Sequence, residues 1–407
     1  VSAFNDSGSF VETGGLSFNG YARSTDGGLT FKDLKFVPAP PPGFLQGDPV
    51  VQCASASIFY QSSLFDDGSA STISVSKSTD GGITFNAPVV AASAGTTGNF
   101  LDKSWMTIDP TNRKQLYVTY TNFGASTTLE IVRSTDGGAT WSKPKQLASA
   151  SGNDFVQGSQ VIVGPKGQVY VIWEDFKGTS FPPINRKLFI RKSVDNGVTF
   201  SPAQLISKVT FVGNAFTLEN GFRSGFDFPS VAINRKSGKL FVAWHDGRFG
   251  SKPDPTSPTG RYNFADILVT TSTDEGTTWS APVQVNDGTK PTPDKKDQYM
   301  PAIGVDKTGA VAVCYYSRRR DVNNLKIDRF CAYSTTGKAG SWTNRRFTKA
   351  SFPPVFGVDD LINTIYMGDY DTLATDFTRV NAGFVGAYGD NSKPTAPDVR
   401  STSFTSF

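Results

Sequence analysis

The sequence predicts an all-β fold of repeated antiparallel sheets, and three observations carry that reading. A nine-residue turn motif recurs along almost all of the 407 residues, and β-branched and aromatic runs of strand length flank its copies. The 40 Gly and 24 Pro, beside 13% aromatic residues, suit many short strands joined by turns and no long helices. Units of about 40–60 residues, each with four strand-like segments, make a β-propeller of four-stranded antiparallel blades. Neighbouring units share a core, so a single domain spans 1–407.

The motif is clearest at Arg133-Ser-Thr-Asp-Gly-Gly-Ala-Thr-Trp141. Copies stand at Arg23–Phe31, Lys77–Phe85, Lys192–Phe200 and Thr271–Trp279, and a decayed copy without the aspartate at Tyr333–Trp342. The shared core is Ser-x-Asp-x-Gly-x-Thr-aromatic. Its aspartate accepts hydrogen bonds from turn N–H groups, its glycine takes a positive φ, and Thr with the aromatic restarts an inward-packed strand. This is a structural device rather than a chemical one. The pattern resembles the Asp-box, or BNR, repeat of sialidases and many other secreted β-propellers.

Taken in order, the fourth complete unit shows the strand pattern: Pro229–Ile233, Leu240–Trp244, Asp266–Thr270, then the segment after Trp279. Complete units begin near Asp48, Asp102, Gln160, Asp227 and Gln298. The N-terminal segment to about Val37 supplies strands two to four of a blade. The C-terminal segment supplies strands one to three, at Tyr370–Ala374, Asn381–Val385 and Asp398–Thr402. Counted separately the ends give seven blades, and merged they give six; their overlapping strand types favour seven. Pro- and charge-rich connections at 38–47, 177–187, 249–263 and 286–297 read as surface loops.

Bulk properties exclude several classes. Net charge is +4 with scattered Lys and Arg, so no nucleic-acid footprint stands out, and no stretch approaches a bilayer span. Runs such as Arg318-Arg319-Arg320 read as loop charge. A single histidine excludes a multi-His metal site, so no cofactor is expected and a structural Ca²⁺ stays open. Cys314 and Cys331 fall on consecutive strands and form either a cross-strand disulfide or two buried thiols, leaving Cys53 over. The chain opens in strand-like sequence without a signal peptide, so an export signal was removed or never present.

Topology locates the polar residues. In a four-stranded antiparallel blade, the start of strand one and the end of strand two share one face, opposite the Asp box. Strand-one starts are polar here: Asp48, Asp102-Lys103-Ser104-Trp105, Gln157 to Gln160, Arg223 to Asp227, Asp297-Gln298-Tyr299 and Asp369-Tyr370. Strand-two ends add Asn122, Glu174-Asp175, His245-Asp246-Gly247-Arg248 and Arg318. These groups are expected around an axial pocket that binds or transforms a ligand. Individually, each also fits a loop tie or an inter-blade pair. Carboxylates and phenols without histidine suit glycoside hydrolysis, in which one carboxylic acid protonates the leaving oxygen and a second group attacks.

The resemblance to sialidases implies a tyrosine nucleophile, an acid/base aspartate and an arginine cluster for a sugar carboxylate. By position these are Tyr370 or Tyr299, Asp48 or Asp102 with Glu174 as helper base, and Arg223, Arg248 and Arg318. Lys103, Trp105, Asp246 and Asp369 join the binding set, and Trp105, Phe123 and Phe176 are candidates to stack on sugar rings. The Phe-Arg-Ile-Pro motif of sialidases is absent; Gly221-Phe-Arg-Ser-Gly225 comes too late and lacks Ile-Pro. The expected function is thus a secreted or cell-surface carbohydrate-active enzyme on an acidic glycan. The alternatives are a non-catalytic propeller binding a glycan or an extracellular protein, and a structural component.

Overall fold

The β-branched and aromatic runs form seven antiparallel sheets in a computed structural model of the chain. It describes residues 1–95, 98–179, 185–212, 218, 228–249, 264–286, 296–354, 368–376, 383–390 and 398–406. The first sheet holds β1 (Ser2–Asn5), β2 (Asn19–Arg23) and β3 (Lys32–Phe36), with a short α1 (Ser7–Glu12) after β1. The second is β4 (Phe44–Cys53), β5 (Phe59–Asp66), β6 (Ser71–Ser78) and β7 (Val89–Ser93). β8 (Phe100–Ile108), β9 (Leu116–Phe123), β10 (Thr127–Ser134) and β11 (Lys145–Ala150) form the third. The fourth comprises β12 (Phe155–Val163), β13 (Val169–Lys177), β14 (Asn185–Ser193) and β15 (Gln204–Val209).

In the fifth stand β16 (Ser230–Ile233), β17 (Leu240–Asp246), β18 (Asp266–Ser272) and β19 (Val283–Gln284). The sixth contains β20 (Gln298–Val305), β21 (Val311–Ser317), β22 (Asp328–Ser334) and β23 (Thr343–Arg346). The seventh has β24 (Leu373–Asp376), β25 (Gly383–Asp390) and β26 (Asp398–Phe404). Strand order follows the chain within each sheet, as in the blades of a β-propeller. The expected division of the ends holds: the first sheet begins at a second-strand position, and the last stops at a third.

The repeat motif forms the turn between third and fourth strands as its chemistry requires. In the copy after β10, Ser134 Oγ donates to Asp136 Oδ1 at 2.8 Å, and Asp136 accepts from the Thr140 N–H at 3.0 Å and its hydroxyl at 2.5 Å. Gly138 N–H donates to Ser134 Oγ at 2.9 Å. The two central residues are left-handed in the five good copies; where glycine is replaced at the first of them, Asn196 and Glu275 still hold φ of 60° and 59°. In the decayed copy Thr336 stands in the aspartate's place. Its hydroxyl reaches Ser341 Oγ at 3.0 Å, while Ser334 keeps its bond from Gly337 N–H at 2.8 Å.

The motif also binds one sheet to the next. Arg23 Nε donates to Gly81 O at 2.7 Å, and Arg133 Nη1 to Asn196 O at 3.2 Å. The second glycine of each turn lies against an apolar side chain. A Cβ on Gly138 would stand 3.5 Å from Tyr60, and one on Gly197 3.0 Å from Tyr117.

By internal contacts the chain falls into two units, the first of residues 1–26, 30–175 and 191–203, the second of 27–29, 176–190 and 204–407. In the first, a core around Val50, Tyr60, Leu64, Ile73, Leu101, Met106 and Val118 joins the second and third sheets. In the second, Phe241, Val269, Ile303, Val313, Tyr315 and Trp342 do the same for the fifth and sixth. Cys314 and Cys331 face each other across β21 and β22 and form a disulfide, while Cys53 is free and exposed. No helix of the described residues is long and apolar enough to cross a membrane.

Candidate functional site

Strand one carries a kink where the polar residues stand. Asp48, Lys103, Gly158 and Met300 all take a left-handed backbone, with φ of 52°, 53°, 69° and 49°. The pairing register shifts beside three of them, between Gly47 and Val50, Asp102 and Trp105, and Tyr299 and Ala302. Such a conformation costs a non-glycine residue about 1 kcal/mol, and it re-aims the side chains around the bulge. It stands at the end of the blade away from the Asp box: in the second sheet Gly47 pairs with Leu64 late in β5, whereas Ser78, which leads into the box, pairs with Phe59 at the start of β5.

In the first unit the kinks bring an acid and a base together. Lys103 Nζ lies 3.7 Å from Asp48 Oδ2, with the two side chains 8% and 16% exposed. Asp48 N–H donates to Asn5 Oδ1 at 2.7 Å. Asp102 accepts from Gln157 Nε2 at 2.7 Å and from Lys103 N–H at 2.9 Å. Glu174 is fully buried in β13, and Trp105 packs against the hydrophobic core.

In the second unit a denser cluster occupies the same end of the sixth sheet. Tyr299 on β20, Tyr316 on β21 and Arg329 on β22 are successive cross-strand neighbours. The two phenol rings stack with centroids 5.5 Å apart, and the Arg329 guanidinium lies 4.8 Å from the Tyr316 centroid. Two buried ion pairs flank the stack. Arg318 Nη1 stands 3.4 Å from Asp297 Oδ2, and Arg329 Nη1 is 2.8 Å from Asp371 Oδ2. Asp297 also accepts from Asn324 Nδ2 at 2.7 Å and Ala265 N–H at 3.2 Å, which fixes Arg318 by its partner.

The electrostatics separate the roles. Burial pushes both phenols well above the ordinary tyrosine range, so Tyr299 and Tyr316 are neutral donors. Burial also raises the Asp371 carboxyl, opposed by the Arg329 charge and by the hydrogen bond from Tyr316. Arg329 Nε and Nη2 are buried and have no acceptor among the described residues. A guanidinium with two spare donors is suited to a planar oxyanion such as a carboxylate.

The BNR/Asp-box repeat family matches residues 132–143. No curated protein matches the sequence. Among solved structures, a Hadza microbial sialidase is similar at 15% identity and a TM-score of 0.52, covering 86% of this chain and 65% of that one. The chain thus spans just under two thirds of that sialidase's length. A protein of unknown function from Dyadobacter fermentans has a TM-score of 0.54 at 13% identity, over 88% of this chain and 94% of its own. The GH93 alpha-L-arabinofuranosidase of Fusarium graminearum, solved with arabinobiose, gives 0.50 at 14%, over 87% and 91%. The chain carries the Asp-box repeat and shares the β-propeller fold of these structures.

Within this Asp-box propeller, the expected site residues divide. Asp48, Lys103 and Asp102 gather in the first unit; Tyr299 and Arg318 gather in the second. Asp246 and Arg248 pair at 2.7 Å, but Asp246 also accepts from Thr210 N–H and Trp244 Nε1, and Arg248 Nη2 donates to Ser207 Oγ and Lys208 O. That pair ties a loop down. Asp369 is buried and Tyr370 half-buried just before β24. Arg223 lies outside the described residues. Phe176 is fully buried, edge-on to Phe228 and under Arg186, so its ring is core and not a sugar platform. Sequence reasoning missed Tyr316, Arg329 and Asp371. The available signal was Asp328-Arg329, two charges heading the otherwise apolar strand that continues Phe330-Cys331-Ala332.

Proposed function

We propose that this propeller is a secreted glycoside hydrolase acting on a glycan that carries a carboxylate. The observation that carries the reading is the buried Arg329, which holds Asp371 with one nitrogen and keeps two donor nitrogens for an oxyanion beside two neutral phenols. In this reading Arg329, backed by Arg318, binds the sugar carboxylate. Asp371, whose carboxyl burial raises, supplies the proton to the leaving oxygen. Tyr370, at the entry to β24, is the attacking phenol, its hydroxyl buried like that of Tyr299, and Tyr299 acts as a donor that orients the ring.

The test is a panel of fluorogenic glycosides of sialic acid, glucuronic acid and arabinofuranose, with Asp371→Asn, Tyr370→Phe, Asp48→Asn and Asp102→Asn. Turnover of an acidic glycoside should fall at least about a hundredfold in the first two variants. A comparable loss in Asp48→Asn or Asp102→Asn, with Asp371→Asn active, would move the acid to the first unit. No turnover of any substrate by the folded wild type would remove the enzymatic reading. The complete burial of Tyr299, Tyr316 and Arg318 speaks against catalysis by that cluster, and the second reading is a non-catalytic propeller that binds a glycan on another surface. Saturable glycan binding without product would establish that one.

A further inference from the structure

A cleft of about 230 Å³ lies in the first unit, between the β10–β11 pair and the Asp box that follows β14. Ile131 and Val132 form its buried floor, Gly197 and the half-exposed Val198 one wall, and Arg133, Ser142, Lys143 and Lys145 the rest. Arg133 is held in place by its bond to Asn196 O at 3.2 Å. Lys143 and Lys145 are exposed, their side chains carry no partner among the described residues, and they flank Pro144, which restricts the backbone between them. Among the described residues, no carboxylate lines the cleft.

The repeat itself supplies the control. The equivalent positions read Asn86-Ala87-Pro88-Val89 in the second copy and Ser280-Ala281-Pro282-Val283 in the fifth, against Ser142-Lys143-Pro144-Lys145 in the third. The turn is built equally well with small apolar residues there, so the fold does not require the two lysines. Three like charges around one concavity repel each other and focus a positive potential into it, which favours an anion. The apolar floor and wall suit the C–H face of a ring, and the volume admits a single sugar unit.

We propose that this cleft is a second, non-catalytic subsite for an acidic sugar residue bearing a carboxylate or sulfate. The choice of a sugar over other anions rests on the glycan reading above. Arg133 and the two lysines hold the oxyanion, and Val198 with Ile131 packs against the ring.

Calorimetric titration at low salt with trigalacturonate, a κ-carrageenan tetrasaccharide, maltotriose and inorganic sulfate tests it, on the wild type and on the Lys143→Ala, Lys145→Ala double variant. Expected are binding of one or both acidic saccharides, weakening as salt rises, no binding of maltotriose, and a loss of about tenfold in the folded double variant. The carboxylate-only and sulfate-only probes tell the two anions apart. Saccharide binding that ignores the lysine substitutions, or its absence altogether, overturns the subsite. So does inorganic sulfate competing at the same concentration as the sugars, which would make this a bare oxyanion site. Titration of Asp371→Asn separates the readings: lysine-dependent binding there, whatever the turnover result, supports the cleft, and its loss places the sugar at the Arg329 cluster instead.

Discussion

At Glu275 the repeat asks for a conformation that its side chain resists. The residue holds φ of 59° where the better copies have glycine, and a left-handed backbone costs an L-residue about 1 kcal/mol. Glu275→Gly is therefore expected to stabilise the protein by about 0.5 kcal/mol, the relieved strain being partly offset by the greater freedom of an unfolded glycine. A lowered urea midpoint in the variant would show that the glutamate side chain contributes more than its backbone costs. Asp371 presents the opposite case of a residue strained electrostatically. Its carboxyl is raised by burial, so folding shifts it toward the neutral form relative to the unfolded chain, and this stabilisation is present below the ordinary value of 3.8 and lost as pH rises through the raised value. Turnover that depends on it as an acid declines over the same rise. Asp371→Asn should flatten that part of the stability profile, measured as the urea midpoint against pH.

The Asp box shows the reverse sign at the scale of an element. Asp80, Asp136 and Asp195 are held well below the usual carboxylate range and Asp274 down to about 2, first by the threonine hydroxyl, then by its N–H and by the serine. A depressed carboxyl contributes stability above its unfolded value near 4, and that contribution is lost as pH falls through the lowered one. Urea midpoints should therefore drop between about pH 4 and pH 2, and less steeply in Asp274→Asn; an unchanged slope would mean the turns do not report on global unfolding. These turns were the part of the fold most legible in the sequence, because Ser, Asp, Gly and Thr each have one local task and the spacing repeats. Strands followed from β-branched and aromatic runs. The strand-one kinks were half legible: Gly47 and Gly158 mark them, but Lys103 and Met300 are side chains that ordinarily avoid a left-handed backbone. Tyr299 and Arg318 were found as polar residues at strand ends. Arg329 and Asp371 were not, because their significance is a pairing between chain segments 42 residues apart, which no local pattern encodes.

At the scale of the whole molecule, the chain must join sequence-distant parts without a strand shared between its two end sheets. The second unit shows one such join: Ser401 Oγ donates to Gly28 O at 3.3 Å, and a Cβ added to Gly28 would stand 2.5 Å from Val385 Cγ1. The first Asp box thus rests on the last sheet through a glycine at φ of 85°, where side chains are disfavoured for both backbone and steric reasons. Gly28→Ala is expected to cost about 2–3 kcal/mol, roughly half from the left-handed backbone and half from the overlap. The two parts can be separated. Val385→Ala removes the obstructing methyl groups but leaves the backbone term, so the double variant should be less destabilised than the sum of the single variants by about 1 kcal/mol. Guanidinium unfolding of the four proteins gives this coupling directly. Strict additivity would show that the contact is not maintained in solution, and that the first Asp box and the last sheet are stabilised independently of each other.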